Sequence, residues 1–309
     1  MNFKKPEFWD YSGLSFWSII LYPVSLLFLF FSLIIKLLKI QKKFSIPIIC
    51  VGNIYVGGTG KTPLVSEIFN IVKSLGKNPG FIKKYYNYLD DEISILQKIG
   101  TTFVYKNRIE AIKKLVDNKN DIAILDDGFQ DFTIKKNFSI ICFNQKQWIG
   151  NGFIMPSGPL REKLSAVKRA NCIFINGQKD KEIEDQIYKK NKNVKIFYST
   201  YKPLDINKFK DKQICAFAGI GNPSNFFELL KENNLQVINH KSFPDHYNYT
   251  IKDLEKLKFK ANDLNAVLLT TEKDYFRINK NLRQDIEKFD IDLEIENKDE
   301  FIKLIKKII

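Results

Sequence analysis

The segment from Ile46 to Leu75 constrains this 309-residue chain more than any other. Ile46–Val51 is an apolar run of strand length, Gly52–Gly60 is glycine-rich, and a helical stretch, Lys61–Leu75, follows at once. A strand feeding a glycine-rich loop that opens a helix is the context in which a GGTGKT match has physical meaning. Gly57, Gly58 and Gly60 let the backbone close around an anion with its N–H groups pointing inward. The helix N-terminus adds partial positive charge. Tyr55, Val56, Gly57, Gly58, Thr59, Gly60, Lys61 and Thr62 are therefore the expected nucleotide-binding segment. Lys61 is expected to reach the β- and γ-phosphates of ATP, and the Thr62 hydroxyl to help hold Mg²⁺. Tyr55 stands where the strict motif has its first glycine.

The rest of the chain alternates in the same way. Strands are expected at Ile46–Val51, Asp121–Leu125, Phe138–Phe143, Cys172–Asn176, Lys195–Ser199, Ile214–Ala218, Gln236–Ser242 and Ala266–Thr270. Helices are expected at Lys61–Leu75, Arg108–Asn118, Lys163–Ala170, Pro223–Asn233 and Ile251–Phe259, with helical spacing again in Phe301–Ile309. Several strands are continuously apolar, the pattern of strands covered on both faces. This β-α alternation predicts an α/β chain with mainly parallel sheets. The polar stretch Gly177–Asn193 marks a passage to a second unit. Asp126 and Asp127 end the apolar run DIAIL, and a carboxylate at the end of a parallel strand beside a phosphate loop suits Mg²⁺. Thr62, Asp126 and Asp127 are the expected metal ligands.

Composition narrows the partners. Forty-nine Lys and Arg against 35 Asp and Glu give a formal net charge of +14. The lysines are dispersed rather than clustered, so nucleic acid is not an expected partner. Cys50, Cys142, Cys172 and Cys215 each sit in an apolar run and form no CxxC pair, which reads as buried thiols. At the N-terminus no charge occurs between Asp10 and Lys36. As a helix, Leu14–Ile35 would rise about 33 Å, the thickness of a bilayer core. Lys36, Lys39, Lys42 and Lys43 follow it, which places the remainder of the chain on the cytoplasmic side.

The strings VGNIYVGGTGKTP, LDDGFQ, GNGFIMPSGPLRE, FAGIGNP, FPDHYNY and TTEKD occur in this order. Over about residues 5–277 the chain resembles the tetraacyldisaccharide 4′-kinase family of lipid A biosynthesis. The resemblance implies a P-loop NTPase-like fold of two α/β/α units, with the active site in the cleft between them and an N-terminal hydrophobic helix. It divides the chain into an anchor (1–40), a P-loop domain (41–195) and a second α/β domain (196–309). It implies ATP-dependent phosphorylation, with Mg²⁺, of the 4′-hydroxyl of a lipid A disaccharide 1-phosphate at the cytoplasmic face of the bacterial inner membrane. Membrane lipid is the other expected partner, and no protein partner is inferred. Carried over by residue, Asp91 matches the catalytic base and His246 the histidine that partners it. Arg161 and Glu162 match further active-site residues, and Lys61 keeps its place in the loop. A membrane-associated regulatory ATPase of the deviant Walker type is the alternative; its loop carries a lysine where this chain has Val56. Two departures stand out. The family's SRGYG segment is here a shortened IKKYYNYLDDE, in which Lys83 or Lys84 would supply the missing charge and Asp90 adjoins Asp91. The family's DDGFQH ends here in Asp131.

Overall fold

The structure is a computed structural model, and it describes residues 5–11, 13–86 and 90–309. Residues 1–4 of the expected anchor, and Asn87, Tyr88 and Leu89 of the shortened segment, lie outside the described residues. The backbone groups into two compact units. The larger holds Lys5–Tyr85, Ile99–Thr200 and Leu293–Ile309; the smaller holds Tyr201–Asp292 and the described part of Tyr86–Lys98.

The larger unit is built on a parallel sheet. Its strands are β1 (Ile48–Gly52), β2 (Pro79–Lys84), β3 (Thr102–Tyr105), β4 (Ile122–Asp126), β5 (Phe138–Asn144), β6 (Cys172–Asn176) and β7 (Lys195–Pro203). They run in the order β7-β6-β5-β1-β4-β2-β3, and the recorded pairings among them are all parallel. β1, β4 and β5 are buried along their whole length. Sterically stiff Ile and Val fill these central strands, as covered parallel sheets require. The strand order reverses around β1, so the loops leaving β1 and β4 open at the position where such sheets take ligands. The four cysteines are free and buried. Burial pushes the thiol of Cys50 up to about 11 and that of Cys142 to about 12, so neither forms a thiolate at neutral pH.

Among the described residues one helix, α1 (Phe16–Leu38), is long and apolar enough to cross a membrane. Ser15 caps it, accepting from the Ser18 N–H. It meets the rest of the larger unit along one stripe. Ser18 accepts from Asn151, Tyr22 meets Phe153 edge to face, and Ser25 donates to the Ile154 carbonyl. Leu29 packs beside Ile154 and Leu160, and the Lys36 ammonium lies over the Phe132 ring. Steps of three or four residues keep these contacts on one face. Leu27, Phe30, Phe31 and Leu38, on the other faces, are more than 45% exposed.

Helix α2 (Lys61–Ser74) buries Leu64, Val65, Ile68 and Val72 toward the sheet. α3 (Asp90–Ile99) opens with three acids, which suit the positive end of a helix. α4 (Arg108–Asp117) is capped by the Asn107 side chain. α5 (Lys181–Tyr188) falls inside the polar stretch Gly177–Asn193. Asp180 caps it, and only Ile183 and Ile187 are buried, a stripe too thin to show against its charges. The expected helix Lys163–Ala170 is a 3₁₀ turn, Leu164–Arg169.

The smaller unit carries a second parallel sheet. Its strands are β8 (Gln213–Ala218), β9 (Gln236–Ser242), β10 (Val267–Thr271) and β11 (Glu287–Phe289), in the order β11-β10-β8-β9. The helices are α6 (Pro223–Glu232), α7 (Ile251–Asp263) and the short α8 (Glu272–Arg277). Thr250 and Asp253 form a capping box at the start of α7. Beyond them β12 (Ile291–Ile295) adds to the larger sheet beside β7.

The chain closes with α9 (Lys298–Lys306), which fastens the last residues to the larger unit. Phe301 and Ile305 are fully buried. The Phe301 ring meets Phe174 edge to face at 4.8 Å and Phe197 at 5.4 Å. Replacing a buried Phe with Ala removes the transfer energy and leaves a cavity. Phe301→Ala is expected to cost about 3–5 kcal/mol in chemical denaturation. Lys303→Ala, on the exposed face of the same helix, should stay within about 0.5 kcal/mol of the unaltered protein.

Candidate functional site

Two clusters of polar side chains stand out, one in each unit. In the larger unit the loop after β1 has the backbone the sequence requires. Gly57 and Gly60 take φ of 94° and 83°, a left-handed conformation open to glycine at little cost. Asn53 is fully buried, and its amide donates to Thr59 Oγ1 at 3.0 Å and to the Gly57 carbonyl at 3.4 Å. It therefore ties the two ends of the glycine turn together. Gly58 is exposed, Thr59 and Thr62 are buried, and Lys61 is half-buried.

Tyr55 and Val56 serve the loop as anchors. The Tyr55 ring is fully buried among Ile154, Leu160 and Leu29. Its hydroxyl donates to Asp10 Oδ1 at 3.0 Å and accepts from Lys5 Nζ at 3.1 Å. Burial, with Asp10 beside it, pushes the phenol far above its ordinary range. The Val56 N–H donates to the Pro159 carbonyl at 2.9 Å, so this donor is committed within the protein. The absent first glycine is thus a place where a side chain is needed for packing.

Asp126 and Asp127, at the end of β4, take different partners. Asp126 is fully buried, and its Oδ2 accepts from Lys83 Nζ at 2.5 Å. Its Oδ1 is buried with no hydrogen-bond partner. Lys83, on β2, thus places a positive charge against Asp126. Asp127 has φ 56°, which turns its carboxylate to the loop. Both of its oxygens accept from Arg161 Nη1 at 3.0 Å, and Lys61 Nζ is 3.8 Å away. Burial opposes ionisation of Asp127, yet Lys61 and Arg161 hold its carboxyl well below the usual range. The carboxylate is therefore ionised at any physiological pH.

Glu162 takes other partners. Its Oε2 accepts from Arg169 at 2.5 Å and its Oε1 from Gln130 at 3.2 Å. Gln130 also donates to the Asn53 carbonyl at 2.7 Å. Glu162 thus clamps the DDGFQ and PLRE strings to the base of the loop. Asp131 pairs with Arg108 at 3.2 Å and accepts from both the N–H and the hydroxyl of Thr133. Arg108 donates in turn to the Asp127 carbonyl at 2.7 Å.

In the smaller unit Asp91 is buried, whereas Asp90 is exposed at the start of α3. Asp91 Oδ2 accepts from Arg277 Nη2 at 2.6 Å. Asp91 Oδ1 is 3.9 Å from His246 Nδ1, whose side chain is 25% exposed. His246 has φ 55° and its N–H donates to the Gly219 carbonyl at 3.1 Å. The structure therefore brings Asp91 and His246 together. It also brings Lys61, Asp127 and Arg161 together.

Arg108, Arg277, Asn53, Gln130 and Arg169 were not singled out from sequence. One signal was present. The chain has only five arginines among 49 basic residues, and four of them, Arg108, Arg161, Arg169 and Arg277, sit in these clusters. In a lysine-rich chain an arginine marks a position that needs a planar fork.

Removing Lys83 would leave a buried carboxylate without its cation. Lys83→Met is expected to lower unfolding free energy by about 3–5 kcal/mol at neutral pH. Lys83→Met with Asp126→Asn should recover a large part of that loss in urea denaturation. A loss unchanged in the double variant would mean that the two charges are not coupled.

The family model described as LpxK, tetraacyldisaccharide-1-P 4′-kinase, matches residues 17–89 and 89–309. A tetraacyldisaccharide 4′-kinase of Pelagibacter ubique is 43% identical over 284 residues, covering 90% of this chain and 89% of that protein. The one from Rickettsia felis is 35% identical, covering 95% and 94%. Among solved structures, LpxK from Aquifex aeolicus, crystallised in complex with ATP, superposes with a TM-score of 0.72 at 23% identity. It covers 94% of this chain and 99% of that one, a likeness of fold.

Proposed function

The chain belongs to the tetraacyldisaccharide-1-P 4′-kinase family, and from that premise we propose that it transfers the γ-phosphoryl of ATP to the 4′-hydroxyl of a tetraacylated disaccharide 1-phosphate in lipid A biosynthesis. The observation that carries the reading is the grouping of Lys61, Asp127 and Arg161 beside the glycine turn. Phosphoryl transfer is catalysed mainly by positioning and by positive charge against the phosphoryl oxygens. Lys61 and Arg161 are such charges, stored on Asp127 at a distance of 3.0–3.8 Å. A triphosphate competes with Asp127 for both. Gly57–Thr62 cradles the phosphates with backbone N–H groups and the start of α2.

The donor set fits Mg²⁺, a hard cation that usually takes few protein ligands beside phosphate oxygens and water. Thr62, Asp126 and Asp127 would hold it, and the unpartnered buried Asp126 Oδ1 is an acceptor suited to the ion or its water. Bound there, Mg²⁺ would neutralise charge on the phosphates.

The acceptor is a sugar hydroxyl, a poor nucleophile until its proton is taken. Asp91 is the base and His246 its partner, and the hydroxyl proton passes to this pair. In-line transfer requires the hydroxyl oxygen to face the γ-phosphorus as the proton leaves.

The acyl chains of such an acceptor hold it in a membrane, and α1 suits that location. Its contacts with the larger unit run from Ser18 to Lys36. That supports a helix lying along the membrane surface with its exposed apolar faces in lipid. The lysines after it suit the anionic cytoplasmic face.

Purified protein, ATP with a radiolabelled γ-phosphate, Mg²⁺ and the disaccharide 1-phosphate in mixed micelles test the reading. Label is expected on the 4′-oxygen of the acceptor. Folded, nucleotide-binding protein that moves no label would refute it. Asp91→Ala should reduce kcat by about 10²–10⁴-fold, while Asp90→Ala should keep it within about threefold. The reverse order would reassign the base to Asp90.

A further inference from the structure

Two strings, FAGIGNP and TTEKD, have no part in the mechanism above. In the smaller unit they converge on the back of Asp91. The link between them is Arg277, one turn beyond Asp274 on α8, with a side chain only 8% exposed. Its Nη2 donates to Asp91 Oδ2 at 2.6 Å. Its Nη1 donates to the Gly219 carbonyl at 2.8 Å and to Asp274 Oδ1 at 2.9 Å. One guanidinium therefore spans the candidate base, the FAGIGNP turn and the TTEKD carboxylate.

Asp274 holds that guanidinium still. It is fully buried and accepts from the Gly219 N–H at 3.0 Å, the Tyr249 hydroxyl at 2.8 Å and Thr271 Oγ1 at 2.7 Å. Burial pushes its carboxyl up, against the pull of Arg277 and these donors. A buried carboxylate with so many donors has little freedom to turn. Gly219 is enclosed by the same groups. A Cβ there would lie 2.9 Å from the Tyr249 hydroxyl and 3.1 Å from the Pro244 carbonyl. The Gly219 carbonyl also accepts from the His246 N–H at 3.1 Å. One peptide unit thus fixes both members of the Asp91–His246 pair, one through Arg277 and the other through its backbone.

We propose that Arg277, locked by Asp274 and Gly219, is the positioning residue of the Asp91–His246 pair. It engages Asp91 Oδ2 and leaves Oδ1, which has no hydrogen bond, turned to His246. This role rests on the phosphoryl-transfer reading. The charged groups facing Asp91 are Arg277 from α8, with Asp274 behind it, and His246 from the turn after β9. On α3 itself the neighbouring Glu92 pairs with Lys273 at 2.8 Å.

The test is the kcat and KM of the full chain and of Arg277→Gln, Arg277→Lys and Asp274→Asn, measured with ATP and the acceptor in mixed micelles. Arg277→Gln should lower kcat roughly 10–100-fold, as loss of an orienting partner does. The KM values for ATP and acceptor should change less than about threefold. Arg277→Lys restores charge without the fork. Its kcat should stay reduced. Asp274→Asn keeps the shape of the tether, and it should lower kcat at unchanged KM even if Arg277→Gln does not fold. A kcat in folded Arg277→Gln or in Asp274→Asn equal to that of the unaltered protein, or a KM that rises as far as kcat falls, overturns the role while the kinase reading stands. Absence of transfer by the unaltered protein overturns both.

Discussion

The larger unit's chemistry depends on the ionised carboxylate of Asp127. Two cations, Lys61 and Arg161, converge on it from different parts of the chain. Without that anion two like charges would face one another uncompensated. Its backbone is held in turn: the carbonyl accepts from Arg108, which is itself paired with Asp131. The left-handed φ of Asp127 costs of order 1 kcal/mol and persists only where its surroundings impose it. Arg108, Asp131 and Arg161 are those surroundings. Asp131, which ends the DDGFQD string, therefore has a physical role in this chain. A carboxylate at 131 gives Arg108 a charged partner and caps the turn at Thr133.

The parallel architecture, the GGTGKT loop and the acidic pair were legible in sequence because each rests on local pattern. Continuous apolar runs marked the central strands, and glycine spacing marked the loop. What escaped was disguised by charge or length. β2 reads PGFIKK, and its two lysines hid a strand whose Lys83 is buried only because Asp126 is paired with it. α3 and α5 carry short buried stripes under dense acidic or mixed charge. Lys163–Ala170 showed helical composition but winds as a 3₁₀ turn, with Ala166 and Val167 as its buried residues.

The site residues divide the same way. Lys61, Asp127 and Arg161 stand within or beside strings that identify themselves. The side chains that hold them do not, because a hydrogen bond from Arg108 to a carbonyl, or from Asn53 across a turn, leaves no periodic trace. Asp90 and Asp91 differ by one position on a helix, about 100° of rotation. That rotation separates an exposed first-turn residue from a buried partner of Arg277. Only the tertiary contacts of α3 distinguish them.

Tyr55 ties the loop to the apolar helix. The motif's missing glycine is replaced by a ring that packs against Leu29 of α1 and against Ile154 and Leu160. Its hydroxyl completes a network with Lys5 and Asp10. The residue after Leu160 is Arg161, whose N–H donates to the Ile54 carbonyl at 2.7 Å and whose guanidinium holds Asp127. α1 and the string from Ile154 to Arg161 are therefore joined to the phosphate loop on both of its sides, through Tyr55 and through Arg161. A helix suited to a lipid surface and a loop suited to a triphosphate share one set of side chains, and the departure at position 55 is what joins them.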